Sequence, residues 1–237
     1  MISSEVVMKM NEFARSELVL GKNSIEKLKN KKVMVFGIGG VGSYVCEALA
    51  RTGVGNITVV DNDVVSESNI NRQIIALHST VGMNKVDVIE ARIKDINPDC
   101  NVIKKQMFYL PENADEIDFS GYDYIVDAID TVTAKIDIIC CAADLDIPII
   151  SCMGTGNKSE PSMLEITDIY KTNVCPLARV MRRELKQRGI KKLNVLYSEE
   201  KPILPEADNP RVPGSVAFVP SVAGLMIGGY VIKELIK

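Results

Sequence analysis

Residues 33–63 read VMVFGIGGVGSYVCEALARTGVGNITVVDND. An apolar run at 33–36 enters a turn holding Gly37, Gly39, Gly40 and Gly42. A helical pattern follows to about Arg51, and a second apolar run at 57–60 ends in the acid Asp61. This order is a strand–turn–helix–strand unit with a nucleotide-phosphate fingerprint. Gly37 permits the tight turn, Gly39 lets backbone approach a phosphate, and Gly42 lets the helix pack on the strand. The helix N-terminus offers unpaired N–H groups and partial positive charge to that phosphate. Asp61 can accept hydrogen bonds from ribose hydroxyls.

Outward from this unit, residues 11–30 read as two helical pieces broken near Gly21, with Leu18, Leu20, Ile25 and Leu28 placed to cap a sheet. A polar loop at 62–84 carries Asp63, Asn69, Asn71, Arg72 and Gln73. Lys85 then opens a helix that stops at Asn97-Pro98. Strands are expected at 102–108, 124–126 and 147–152, with a helix over 131–145. The fourth strand ends in Asp127-Ala128-Ile129-Asp130, where ligands of open parallel sheets bind. The alternation predicts an α/β fold: a doubly wound, mostly parallel sheet with helices on both faces.

Past Gly156 the pattern changes. A strand at 163–169, possible as an antiparallel addition, precedes a helix capped by Thr172 or Asn173, with Pro176 in its first turn. A further strand at 193–197 leads into the proline-rich stretch 198–213, which reads as a mobile crossover. The chain thus divides as one domain, 1–237, with an N-terminal helical segment 1–30, a nucleotide-binding core 31–156 and a substrate and dimer part 157–237.

Residues 212–232 carry no charge, nearly a membrane-spanning length. Pro220 divides them, and they read as a buried strand at 216–219 followed by a buried or interface helix. This favours burial over stable transmembrane insertion and leaves peripheral membrane contact as a second reading. The remaining composition is that of a soluble enzyme: 46% hydrophobic, 25% charged, net charge −3. The six cysteines form no CxxC pair, so a four-thiolate zinc site has no support. Reduced thiols in apolar runs and an N-terminus without an apolar signal core fit a cytoplasmic protein.

Arg72 and Lys85, with Arg15, supply positive charge near the phosphate turn, while Asp127 and Asp130 supply hard oxygen ligands suited to Mg²⁺. A nucleoside triphosphate losing pyrophosphate uses both sets, because charge moves onto the leaving phosphates; a nicotinamide cofactor uses neither. Independently, residues 171–192 hold Lys171, Arg179, Arg182, Arg183, Lys186, Arg188, Lys191 and Lys192 against Glu184 alone, a local charge of +7. Such a patch suits nucleic-acid phosphates.

GIGGVG (37–42), DND (61–63), SNINRQ (68–73), Lys85 and DAID (127–130) resemble the ubiquitin-activating-enzyme-like adenylating superfamily, whose bacterial members include ThiF, MoeB and HesA. INRQIIALHSTVG (70–82), INPDC (96–100), DAIDTVTAK (127–135), CPLARVMRREL (175–185) and PGSVAFVPSVAGL (213–225) narrow the resemblance to the tRNA threonylcarbamoyladenosine dehydratase family. The resemblance implies a Rossmann-like fold and adenylation of the threonylcarbamoyl carboxylate on adenosine 37 of tRNA by ATP with Mg²⁺. Cyclisation with net loss of water follows.

It further implies Gly39 and Gly40 on phosphate, Asp61 on ribose, Asn69, Arg72 and Lys85 on the triphosphate, and Asp130 on Mg²⁺. Arg15 matches an arginine that reaches the partner subunit's site, implying a homodimer. Asp63 and Asp127 are candidates for the nucleotide, with capping the loop and ordering the strand end as their respective alternative roles. The alternative is adenylation of the C-terminal carboxylate of a ubiquitin-like sulfur carrier, with Cys175 as a thioester or persulfide nucleophile; a sulfur-relay protein is a further candidate partner of either reading. The CxxC zinc pairs common in ThiF and MoeB relatives are absent. His78, the only histidine, is the one candidate imidazole base.

Overall fold

The computed structural model describes residues 11–203 and 213–237. Its centre is a seven-stranded sheet in the order β3-β2-β1-β4-β5-β7-β6. The strands are β1 (Lys32–Phe36), β2 (Asn56–Val60), β3 (Asn101–Lys105), β4 (Tyr124–Asp127), β5 (Ile149–Cys152), β6 (Leu164–Asp168) and β7 (Asn194–Ser198). All pairs are parallel except β6 with β7, so the expected antiparallel addition is present at one edge. β1 and β4 are buried almost throughout, which is why they read as continuous apolar runs.

Helices cover both faces. On one lie α2 (Lys22–Lys29), α3 (Gly42–Arg51), α4 (Lys85–Ile96) and α7 (Phe218–Leu235), preceded by α1 (Ala14–Leu20). On the other lie α5 (Val132–Asp144) and α6 (Pro176–Gln187), with a ring cluster of Phe36, Tyr109 and Phe119 whose centroids are 5.1–6.1 Å apart. The strand order reverses between β1 and β4, the switch point at which such sheets bind ligands. Register fixes what meets there: Phe36 pairs with Val60 on one side and Asp127 on the other. Gly37, Asp61 and Ala128 therefore leave the sheet side by side.

Four local expectations need correction. β3 ends at Lys105, before Phe108, because the chain turns from the sheet there to place Tyr109 in the ring cluster. No strand spans 216–219; α7 already begins at Phe218. Pro220 sits in its first turn, where no intrahelical N–H is required. Leu18 does not cap the sheet: it is 83% exposed, whereas Ile25 and Leu28 are buried. The cap of α6 is Cys175, whose Sγ accepts from Ala178 N at 3.5 Å. Residues 204–212 of the expected crossover lie outside the described residues.

α7 is the one helix among the described residues long and apolar enough to cross a membrane, by length and composition alone. It packs along α3 instead. A Cβ on Gly224 would stand 2.4 Å from the Val41 carbonyl oxygen, and one on Gly228 2.5 Å from Ala48 Cβ. That contact distance requires backbone against backbone, and it buries half of the helix.

Candidate active site

At the C-terminal strand ends lies a cleft of about 690 Å³. Its floor is the glycine turn. Gly37 has φ +83°, and a Cβ there would lie 2.7 Å from Ala128 O. Gly42 is tighter: its Cβ would fall 1.7 Å from Gly37 O. α3 starts at Gly42 with no side-chain cap. Gly37 N donates to Val60 O (2.8 Å) and Ile38 N to Asp61 Oδ2 (2.6 Å). Among the described residues the N–H groups of Gly39, Gly40 and Val41 have no such partner, and all three residues line the cleft. A helix N-terminus with free N–H donors facing open space is an anion site.

Asp61 leaves β2 and braces the turn. Besides Ile38 N, it accepts from Asp63 N at 2.8 Å. Each carboxylate oxygen keeps a further lone pair for a hydroxyl. Asp63 in turn holds Lys85: Oδ2 lies 2.7 Å from Lys85 Nζ, with the lysine side chain 6% exposed and the aspartate 58%. The polar loop is folded back on itself, with Val65 N donating to Met83 O and Gly82 N to Val65 O, both at 2.8 Å. The Asn69 carbonyl accepts from Arg72 N (3.0 Å) and Gln73 N (2.9 Å), and its Oδ1 accepts from Ser66 N (3.1 Å). That short turn presents Arg72 and Gln73 to the cleft. Arg72 Nη1 donates to Ser68 O at 2.7 Å and Asn71 Oδ1 at 3.0 Å.

The structure therefore brings Gly37, Gly39, Gly40, Asp61, Asp63, Asn69, Arg72, Lys85 and Asp130 to one cleft. Asp130 is exposed on its rim. Three expected residues are elsewhere. Gly42 lies beneath the floor as a packing glycine. Asp127, considered for the nucleotide, is fully buried: Oδ2 accepts from Ser151 Oγ (2.6 Å) and pairs with Lys135 Nζ (2.8 Å). Its oxygens are spent there, because pairing with Phe36 places its side chain on the α5 face of the sheet, against Lys135. Arg15 is exposed on α1 and does not line the cleft of its own chain.

One residue of the loop was named without a role. Gln73 lines the cleft, is 5% exposed, and its Oε1 has no hydrogen-bond partner. A buried carbonyl oxygen without a donor is costly, and a ligand donor in the cleft would satisfy it. The signal was its adjacency to Arg72 in SNINRQ.

These features fit a nucleotide with a polyphosphate tail. They fit Mg²⁺ only in its usual form, one protein carboxylate plus phosphates and water: no cluster of three or more acidic, His or Cys ligands exists among the described residues. The thiols are poor nucleophile candidates. Burial pushes Cys152, on the cleft wall, up to about 12, and Cys100 up to about 11. Cys175 is 4% exposed and outside the cleft. His78 is exposed on the loop, also outside it.

The chain is similar to known proteins over nearly all of its length. The tRNA threonylcarbamoyladenosine dehydratase of Bacillus subtilis (strain 168) is 47% identical over 243 residues, 96% of each chain. The protein of the same name from Escherichia coli (strain K12) is 36% identical over 83% of this chain and 76% of its own. The crystal structure of E. coli tRNA N6-threonylcarbamoyladenosine dehydratase, TcdA, in complex with AMP matches with a TM-score of 0.88 at 33% identity. It covers 94% of this chain and 93% of that one. The complex of the same protein with ATP matches with a TM-score of 0.87. The ThiF family model matches residues 13–237, which takes in the sheet, its helices and the whole cleft, so this chain belongs to the ThiF family.

Proposed function

We propose that this protein is an ATP-dependent tRNA threonylcarbamoyladenosine dehydratase. The observation that carries the reading is the convergence of free N–H groups, Asp61, Arg72, Lys85 and Asp130 on one cleft. The names and bound nucleotides of near-full-length relatives support it.

In this reading the α-phosphate faces the N-terminus of α3, and Asp61 accepts from the ribose. A carboxylate oxygen of the threonylcarbamoyl group attacks the α-phosphorus, and pyrophosphate leaves. Arg72 and Lys85 oppose the charge that builds on the departing phosphates, the kind of preorganised donor set that lowers such barriers. Asp63 holds Lys85 Nζ at 2.7 Å and so positions it at the cleft for those phosphates. Gln73 Oε1 accepts from the nucleotide or the substrate amide. The acyl-adenylate then closes on a nucleophilic atom of the threonylcarbamoyl group, the acyl–O bond breaks, and AMP departs. The net change in the tRNA is loss of one water.

Asp130 is the residue that would hold Mg²⁺, which would supply charge neutralisation at the phosphates. Arg15 serves the partner's site, so the working unit is a homodimer. The exposure of Leu18 (83%) and Val19 (84%) beside it suits burial against a second copy. No step needs an enzyme thiol, and the burial of Cys175 weighs against a sulfur-relay mechanism. The test is mass analysis of nucleosides after incubation of threonylcarbamoyladenosine-bearing tRNA with enzyme, ATP and Mg²⁺. Loss of one water from the modified nucleoside is expected; an unchanged mass with folded enzyme contradicts the reading.

A further inference from the structure

We infer that the outward face of α6, with the turn at Lys171 and the loop at Lys191 and Lys192, is the surface along which the tRNA backbone lies. The inference rests on the proposed function and adds where the macromolecular part of the substrate is held.

The fold sorts the eight cations of residues 171–192 into distinct groups. Ala178, Met181 and Leu185 turn into the core. Arg179, Arg183 and Lys186, at i, i+4 and i+7, share the opposite, exposed side. Arg182 is turned back: its Nη1 donates to Thr172 O at 2.9 Å and also to Thr172 Oγ1, which ties the helix to the segment before it. Arg183 and Arg188 flank Glu184 at 2.8 and 3.0 Å, so one carboxylate is shared by two guanidiniums and the group stays positive. Among the described residues, no salt bridge engages Lys171, Arg179, Lys186, Lys191 or Lys192.

Two contacts then gather charges distant in sequence. The Tyr170 hydroxyl donates to Ile190 O, and Ile169 N donates to Leu193 O at 2.8 Å. Lys171 is thereby held beside the loop of Lys191 and Lys192. The other end of the helix reaches the cleft, since Leu177 in its first turn lines the wall. With 12 residues, α6 spans about 18 Å. A cationic strip therefore runs from the rim of the cleft down one side of the protein.

An ordinary solvated helix face mixes its signs, and α4 shows that pattern in the same molecule. There Lys104 from β3 bridges Asp87 and Glu90 at 2.8 and 2.7 Å, and Arg92 pairs with Glu47 at 2.6 Å. The α6 strip stays strongly positive, with Glu184 as the single acid of residues 171–192, in a protein of net charge −3. The charge-dense phosphate backbone of RNA suits it, with affinity that falls with salt as counterions are released. A membrane surface is disfavoured because the strip lacks the broad apolar face that an interfacial helix inserts.

The test compares three folded proteins: wild type, an R179A/R183A/K186A variant, and a K22A/K29A/K94A variant with the same charge change elsewhere. Binding of threonylcarbamoyladenosine-bearing tRNA is measured between 50 and 200 mM salt, alongside the ATP-induced thermal shift. In the α6 variant, the slope of log affinity against log salt should fall by about 2 to 3, about one per lost phosphate contact. Its KM for tRNA should rise while kcat and the ATP shift stay near wild type. The control variant should keep the wild-type slope.

An α6 variant with the wild-type slope, or a control variant equally impaired, overturns this surface and leaves the proposed function standing. Wild-type enzyme that fails to bind the modified tRNA overturns both. Loss of binding to phosphatidylglycerol vesicles in the α6 variant, with tRNA binding unchanged, reassigns the strip to a membrane and overturns the inference.

Discussion

Lys135 Nζ and Asp127 Oδ2 lie 2.8 Å apart with both side chains wholly shielded from solvent. The same ammonium donates to Ile129 O at 3.1 Å and Cys152 O at 2.8 Å. The pair thus joins the ends of β4 and β5 and fixes the backbone that leads into Asp130. Removing one partner strands the other as a buried charge, at a cost of about 3–5 kcal/mol. Urea unfolding of Lys135→Met should show a loss of that order. A K135M/D127L double variant should lose much less than the sum of its singles, because the coupling is removed with both charges. Additive losses would mean the two groups act independently.

The glycines of the turn separate stability from ligand binding. A Cβ at Gly42 meets the Gly37 carbonyl oxygen at 1.7 Å, whereas at Gly39 the nearest atom is Gln73 Nε2 at 3.8 Å. Gly42→Ala should lower the melting temperature strongly. Gly39→Ala should leave it within a few degrees but abolish most of the ATP-induced shift, because the methyl group occupies the phosphate's approach. Equal melting temperatures for the two variants would contradict the packing assigned to Gly42.

Glu47 is expected to contribute to acid stability on the α3 side. Its carboxylate is nearly buried, and burial alone would raise its pKa. Hydrogen bonds from Arg92 and Arg51, at 2.6 Å each, outweigh that and hold it below the usual carboxylate value of 4.5. A depressed folded pKa means its contribution is present above the unfolded value and lost as pH falls through the folded one. Glu47→Gln should cost about 2 kcal/mol near neutral pH. It should also flatten the decline in stability below pH 4.5. A variant with the wild-type acid slope would remove Glu47 from that role.

The proposed sharing of Arg15 between two subunits can be tested by complementation. Arg15→Ala and Arg72→Ala homodimers should each be nearly inactive. Unfolded and refolded together in equal amounts, they should recover roughly a quarter of wild-type activity. Half of the dimers are then mixed, with one intact site in each. Absence of recovery in a verified mixed dimer would place Arg15 in its own chain's chemistry or outside the chemistry altogether.

Much of the fold was legible because local chemistry and global position agree. The glycine turn between apolar runs gave β1, α3 and β2, and Lys85 to Asn97-Pro98 marked both ends of α4. The lining of the candidate cleft was legible where its residues follow strand ends in sequence, as Asp61 and Asp130 do. For Asp127 the sequence left two roles open, nucleotide contact and ordering of the strand end; its buried partner Lys135 decides for the second. α7 was misread at its start because a helix apolar all round has no period to distinguish it from a strand. The cap of α6 fell to Cys175, a residue type outside the usual oxygen caps.

The most direct test of the proposed activity is AMP release from ATP and Mg²⁺, measured with tRNA bearing threonylcarbamoyladenosine and with the same tRNA lacking it. Release is expected only with the modified tRNA. Arg72→Ala and Asp130→Ala, with melting temperatures near wild type, should each reduce it by about 10²-fold or more. Release indifferent to the modification, or variants of near-normal rate, would contradict the assignment of this cleft to adenylation of the threonylcarbamoyl carboxylate.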